Sequence, residues 1–78
     1  MQKIKKIWFD NDNMYAETAK NKVLSAALNR FPRLQNATAV QRNDWQQLYD
    51  GLHWESIDED IHISSFLLKG NEKEIVRF

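Results

Sequence analysis

The chain has 78 residues, with 11 Lys+Arg against 11 Asp+Glu and a formal net charge of zero. That length fits one small domain and not two. With no Cys, a disulfide framework, a thiolate metal site and a cysteine nucleophile are all excluded.

Lys3–Asp10 reads as a first strand, with Ile7 and Phe9 on one face and Ile4, Lys6 and Trp8 on the other. Asp10-Asn11-Asp12-Asn13 is a cluster of turn formers. Met14–Ala19 then returns as the second strand of a hairpin. Lys20-Asn21-Lys22 is a second turn, and Val23–Leu28 a third strand with Leu24, Ala26 and Leu28 on one face. Strands at such short spacing predict an antiparallel meander. Pro32 ends the run and sits well at the first position of a helical turn, Pro32–Asn36. Thr38-Ala39-Val40-Gln41 has the capping-box pattern, which predicts a helix from Ala39 to about Asp44.

From Trp45 two readings are open. The helix continues to Tyr49 and ends at Gly51, or Trp45–Tyr49 is a strand that turns at Asp50-Gly51 and returns over Leu52–Glu55. Asp-Gly between such runs is a strong hairpin signal, and the hairpin is the reading taken. Ile57–Asp60 reads as an acidic connection. Ile63, Phe66 and Leu67 are spaced for a short helix near Ser64–Lys69, with Gly70 at the C-cap. Ile75, Val76 and Phe78 are apolar and are candidates to dock on the domain or to extend a sheet edge. The expected class is α+β: a three-stranded meander, short capped helices, a second hairpin and a short C-terminal helix. Residues 1–70 form the expected domain and 71–78 an extension.

A domain this short is marginal without covalent staples. Its core must come from Trp8, Trp45, Trp54, the four Phe and the aliphatics, or partly from a partner subunit. No apolar run approaches the roughly 20 residues needed to span a bilayer. Met1–Lys6 is basic, but no signal-peptide apolar region follows, so a cytoplasmic protein with no membrane contact is expected.

The zero net charge conceals two opposed halves. Residues 1–42 carry eight Lys/Arg and three Asp/Glu, a net +5, and residues 43–78 carry three and eight, a net −5. Either the halves lie together and neutralise each other, or the surface is polarised and each patch steers a partner.

Few residues suggest chemistry. Glu55, Asp58, Glu59 and Asp60, flanked by His53 and His62, have the right types for a metal or an acid–base pair. Their spacing matches neither H-E-x-x-H nor an EF-hand loop, and a solvated acidic loop explains them as well. A metal-assisted hydrolase using His53, Glu55, Asp58 and Asp60 is the weakest functional reading. No group that would orient His53 as a base is identifiable. The serines lie in no G-x-S-x-G context, and there is no Gly-rich phosphate loop. No enzyme activity, cofactor or metal is therefore expected. Lys3, Lys5, Lys6, Arg33 and Arg42, with Trp8 and Phe9, are candidate nucleic-acid contacts. A balanced whole-domain charge weighs against that use.

Phe31-Pro32-Arg33-Leu34, Ala37-Thr38, Gln41-Arg42, Leu52-His53-Trp54-Glu55 and Ile57-Asp58-Glu59-Asp60-Ile61 together resemble the bacterial domain-of-unknown-function family 2442. Trp8-Phe9-Asp10 and Ala27-Leu28 fit as well, so the resemblance covers about residues 3–69. Ala39 stands where the family often has Pro, only Gly51 precedes the "HW" strand, and residues 70–78 have no counterpart. The family pattern favours two short strands at Trp45–Glu55. It implies no established enzymatic activity. Its genes often neighbour those of domain-of-unknown-function family 4160, an arrangement like a toxin–antitoxin pair. The resemblance thus implies an antitoxin-like interaction domain with a toxin-like protein partner. Trp54, Glu55, Asp58, Glu59 and Asp60 are the candidate partner-binding residues. A nucleic-acid-binding autoregulator and a homo-oligomer are the further readings.

Overall fold

The structure, a computed structural model, describes residues 3–68. In chain order the elements are β1 (Ile4–Phe9), β2 (Asn13–Thr18), β3 (Val23–Ala27), α1 (Pro32–Gln35), α2 (Ala39–Arg42), β4 (Trp45–Leu48), β5 (Gly51–Trp54), β6 (Glu59–His62) and β7 (Leu67–Leu68). Single 3-10 turns occupy Leu28–Arg30, Glu55–Ile57 and Ile63–Ser65. The strands form two antiparallel sheets, ordered β1-β2-β3-β7 and β4-β5-β6. The α+β class and the N-terminal meander follow the sequence reading.

Short polar side chains build the first two turns. Asp10 Oδ1 accepts the N–H groups of Asp12 (2.9 Å) and Asn13 (2.7 Å), so the carboxylate closes the turn between β1 and β2. Thr18 Oγ1 accepts from the N–H groups of Lys20 and Lys22, both at 3.2 Å. Asn21 supplies the left-handed residue that this turn needs, at φ 65°. In β2 the period-2 pattern holds: Met14, Ala16 and Thr18 are buried and their neighbours are not.

The first strand departs from strict alternation. Ile4 opposes Thr18, yet Lys6 opposes Glu17, so Lys5 is an extra residue in a β-bulge. The bulge moves Ile4 from the face of Trp8 to the core face, beside Ile7 and Phe9. Packing Ile4 inside is favoured by burying its aliphatic side chain, while Lys5 stays in water.

The second sheet corrects the sequence reading twice. The hairpin is present, but Leu48 pairs with Gly51, so its two-residue loop is Tyr49-Asp50 and not Asp50-Gly51. The observed register sets Trp45 opposite Trp54. A turn at Asp50-Gly51 would slide Trp45 opposite Ser56, which belongs to a 3-10 turn. Tyr49 consequently takes the left-handed region, at φ 56°. The expected acidic connection is also more regular than a loop. Glu55–Ile57 is a 3-10 turn, Asp58 is left-handed at φ 53°, and Glu59 opens a third strand.

The predicted helix near Ser64–Lys69 is replaced by the 3-10 turn Ile63–Ser65 and by β7. One 3-10 turn, closed by Phe66 N–H to Ile63 O at 3.0 Å, already satisfies the Ile63/Phe66 spacing. The open edge of β3 then pairs with Leu67 and Leu68. Tertiary pairing overrides the local helical pattern. Lys69, the expected cap Gly70 and the apolar Ile75, Val76 and Phe78 lie outside the described residues.

One core serves both sheets. Met14, Ala16, Leu24 and Ala26 from the first meet Leu52, Trp54 and Ile61 from the second, with Leu28, Leu34 and Phe66 between. The sheets are also joined at their edges, where Ile4 N–H donates to Gln47 Oε1 at 2.8 Å. The helices serve as short connectors. The Thr38 capping box is complete: Gln41 N–H donates to Thr38 Oγ1 (3.1 Å) and Thr38 N–H to Gln41 Oε1 (2.9 Å).

Candidate functional site

The segment Trp54–Asp60 runs from the end of β5 through a 3-10 turn into β6. Its five candidate residues divide by environment. Trp54 is completely buried, and its indole N–H donates to Arg42 O at 3.0 Å. It is a core residue, which corrects its place among the candidate partner contacts. Glu55, Asp58 and Asp60 are exposed, and Glu59 is half-buried.

The acidic surface is held by specific contacts. Arg33 Nη1 donates to Asp58 O at 2.6 Å, which braces the left-handed residue from α1. His53 Nδ1 lies 2.6 Å from Asp60 Oδ1, and His53 Nε2 lies 3.0 Å from Glu55 Oε1. Strand register explains both contacts: Asp60 is the direct cross-strand neighbour of His53, and Glu55 follows it by two residues. The hydrogen bond to Asp60, then that to Glu55, raises the His53 pKa above its ordinary value. The groups that orient His53 were therefore in the sequence, but only the register of β5 and β6 reveals Asp60 as one of them.

This clamp engages both ring nitrogens with carboxylates. Among the described residues, no group of three or more His, Asp or Glu is placed to hold a metal ion. His62 is engaged separately: its Nδ1 lies 2.9 Å from Ser64 Oγ and accepts Ser64 N–H at 3.1 Å. Among the described residues, no cation pairs with the side chain of Asp58 or Glu59.

The candidate nucleic-acid residues fall in two places, Lys3, Lys5 and Lys6 around the start of β1 and Arg33 and Arg42 on the helices, and most are engaged. Lys5 and Lys6 each lie 3.7 Å from Glu17, and Lys5 Nζ also donates to Asn21 Oδ1 at 2.7 Å. Arg42 donates from Nε to Leu34 O and from Nη2 to Gln35 O, both at 3.1 Å, and lies 4.8 Å from the Phe9 ring centre. Arg33 is committed to Asp58 O. Lys3 is exposed. Phe9 belongs to the core side of β1, whereas Trp8 is exposed on the other side.

Among the described residues, the ion pairs form within each half of the sequence and not between the halves. Glu17 pairs with lysines of its own half, and Glu55 and Asp60 pair with His53 of theirs. Arg30 and Arg33 cross between halves, but their donor contacts end on carbonyl oxygens of Ser65 and Asp58. Neither arginine therefore pairs with a carboxylate of the acidic half.

Sequence reasoning did not single out Tyr15 or Leu67, which join Trp8 on the outer face of the first sheet. The period-2 alternation of β2 contained that signal for Tyr15. Leu67 was masked by its helical spacing. Among the described residues, no helix is long and apolar enough to cross a membrane.

The family model described as "Protein of unknown function (DUF2442)" matches residues 4–72. The match runs a little past residue 69, so residues 70–72 do have a counterpart. No curated protein and no solved structure matches the chain.

Proposed function

The chain belongs to the DUF2442 family, and from that premise we propose that it is a non-enzymatic interaction domain. Its partner is a small toxin-like protein of domain-of-unknown-function family 4160, and the chain acts as the antitoxin-like member. The observation that carries this reading is the braced acidic turn at Glu55–Asp60. Asp58 is held left-handed, its backbone carbonyl accepts from Arg33, and among the described residues neither its carboxylate nor that of Glu59 is paired with a cation. Carboxylates on a fixed backbone favour docking, because less conformational entropy is lost when a basic surface meets them. Glu55, Asp58, Glu59 and Asp60 are the contact residues, and Trp54 supports them from the core.

Co-expression of the two proteins tests the proposal. The pair is expected to co-purify, and the present chain is expected to relieve any growth defect caused by its partner. If the proteins never associate and neither affects growth, the proposal fails. The nucleic-acid alternative has less support, because Arg33 and Arg42 are committed to carbonyl oxygens and Lys5 and Lys6 share Glu17.

A further inference from the structure

The first sheet has a core face and an outer face. On the outer face Trp8 pairs with Tyr15, Tyr15 with Ser25, and Ser25 with Leu67. These four residues form one row across all four strands. The rings of Trp8 and Tyr15 are stacked, with centroids 5.6 Å apart and planes 21° from parallel. Trp8 is 37% exposed and Leu67 38%, at the two edges of the row. A row of this kind presents apolar area without a covering element among the described residues.

Charge is distributed along the strands on either side of the row. At one end the turn Lys20–Lys22 lies beside the start of β1, as the contact of Lys5 Nζ with Asn21 shows. Lys3, Lys5, Lys20 and Lys22 therefore gather there, with Glu17 as the acidic residue beside them, while Lys6 Nζ pairs with Glu17 and lies 5.3 Å from the Trp8 ring centre, at the margin of the row. At the other end the β1–β2 turn carries Asp10 and Asp12. Arg30, just beyond β3, donates to Ser65 O and lies over the Phe31 ring. The sheet is thus basic at one end, apolar in the middle and acidic at the other.

We infer that this face binds a second copy of the chain, sheet against sheet, about a two-fold axis running along the apolar row. That axis reverses the strand direction, so each lysine end meets the aspartate end of the other copy. The row packs on its own equivalent, with Trp8 near the partner's Trp8. A two-fold axis along the strands would instead oppose lysines with lysines. The single patch is therefore self-complementary in one orientation, which is what an isologous dimer requires. Aligned packing of two sheets is a common architecture, and burial of Trp8 and Leu67 supplies its apolar centre. The contact is separate from the acidic turn of the second sheet.

Sedimentation equilibrium of the full chain, from micromolar to millimolar concentration, tests the inference. A reversible monomer–dimer equilibrium is expected, weakened by added salt because the ends are exposed. Trp8→Glu is expected to weaken dimerisation by about 30-fold or more, as loss of a central aromatic anchor does. Asp12→Lys leaves the apolar row intact and is expected to weaken it by several-fold through repulsion of the lysine end. Circular dichroism confirms that each variant is folded. A monomer throughout the range overturns the inference. So does a dimer that both folded variants leave unchanged.

Discussion

The indole N–H of the fully buried Trp54 donates to the carbonyl oxygen of Arg42 across 3.0 Å. This bond links β5 to the end of α2. The same Arg42 turns its guanidinium to Leu34 O and Gln35 O and stacks over Phe9. Trp54 and Arg42 together tie the helical connectors to both sheets.

Trp54→Ala is expected to destabilise the fold by about 3–5 kcal/mol through cavity formation. Trp54→Phe keeps most of the apolar volume but leaves Arg42 O without its donor, and is expected to cost about 1–3 kcal/mol. Denaturant titration of both variants checks the order. A negligible cost for Trp54→Phe would show that the hydrogen bond contributes nothing.

The β4–β5 hairpin gives a prediction opposite to its sequence pattern. Gly51 is a strand residue, and a Cβ there would meet only Ile61 O and Leu48 O, each at an ordinary 3.6 Å. Gly51→Ala is expected to be neutral or to stabilise by about 0.4–1 kcal/mol. Tyr49 holds the left-handed conformation instead and is 84% exposed. Tyr49→Gly is expected to relieve about 1 kcal/mol of backbone strain, partly offset by unfolded-state entropy. If Gly51→Ala unfolds the protein while Tyr49→Gly is harmful, the turn lies at Asp50-Gly51 after all.

Sequence pattern was informative where chemistry is local. The Asp10 turn, the Thr18 turn, the meander and the Thr38 capping box all act through neighbours within a few residues. It failed where distant partners decide. The Lys5 bulge exists because Ile4 gains a core position opposite Thr18. The edge of β3 draws Leu67 and Leu68 out of a helical pattern. β6 forms because Ile61 packs beside Leu52, and that pairing also brings Asp60 to His53. Of the candidate site, the acidic residue types were legible, whereas Trp54 read both as a core residue and as a partner contact, and its burial decides for the core. A tryptophan in a period-2 strand reads the same whether its face meets a core or a partner.

Thr38→Ala removes one member of the capping box and leaves Gln41 N–H without its side-chain acceptor. A loss of about 0.5–2 kcal/mol is expected. Thr38→Ser is expected to retain most of that stability, and thermal melts of the two variants distinguish them.

The His53 clamp makes stability depend on pH with a definite sign. The folded pKa is raised above the ordinary value of about 6.5, so the protonated imidazole is favoured by folding. Its contribution is complete below about 6.5 and is lost as pH rises through the folded pKa. His53→Gln is expected to flatten that segment of the stability profile. An NMR titration of the His53 ring is expected to show the raised pKa and its decline in Asp60→Asn. An unshifted ring titration would remove the clamp from the solution structure.

The central claim is that the acidic turn binds a protein partner. Isothermal titration of the family 4160 protein into this chain, compared with a variant carrying Asp58→Asn, Glu59→Gln and Asp60→Asn, tests it most directly. Asn at position 58 tolerates the left-handed backbone, and circular dichroism checks that the variant, which also lacks the Asp60 carboxylate facing His53, is folded. The wild-type chain is expected to bind, with affinity falling as salt rises, and the neutralised chain to bind about tenfold or more weakly. No binding by the wild-type chain, or equal binding by the folded variant, would contradict the claim.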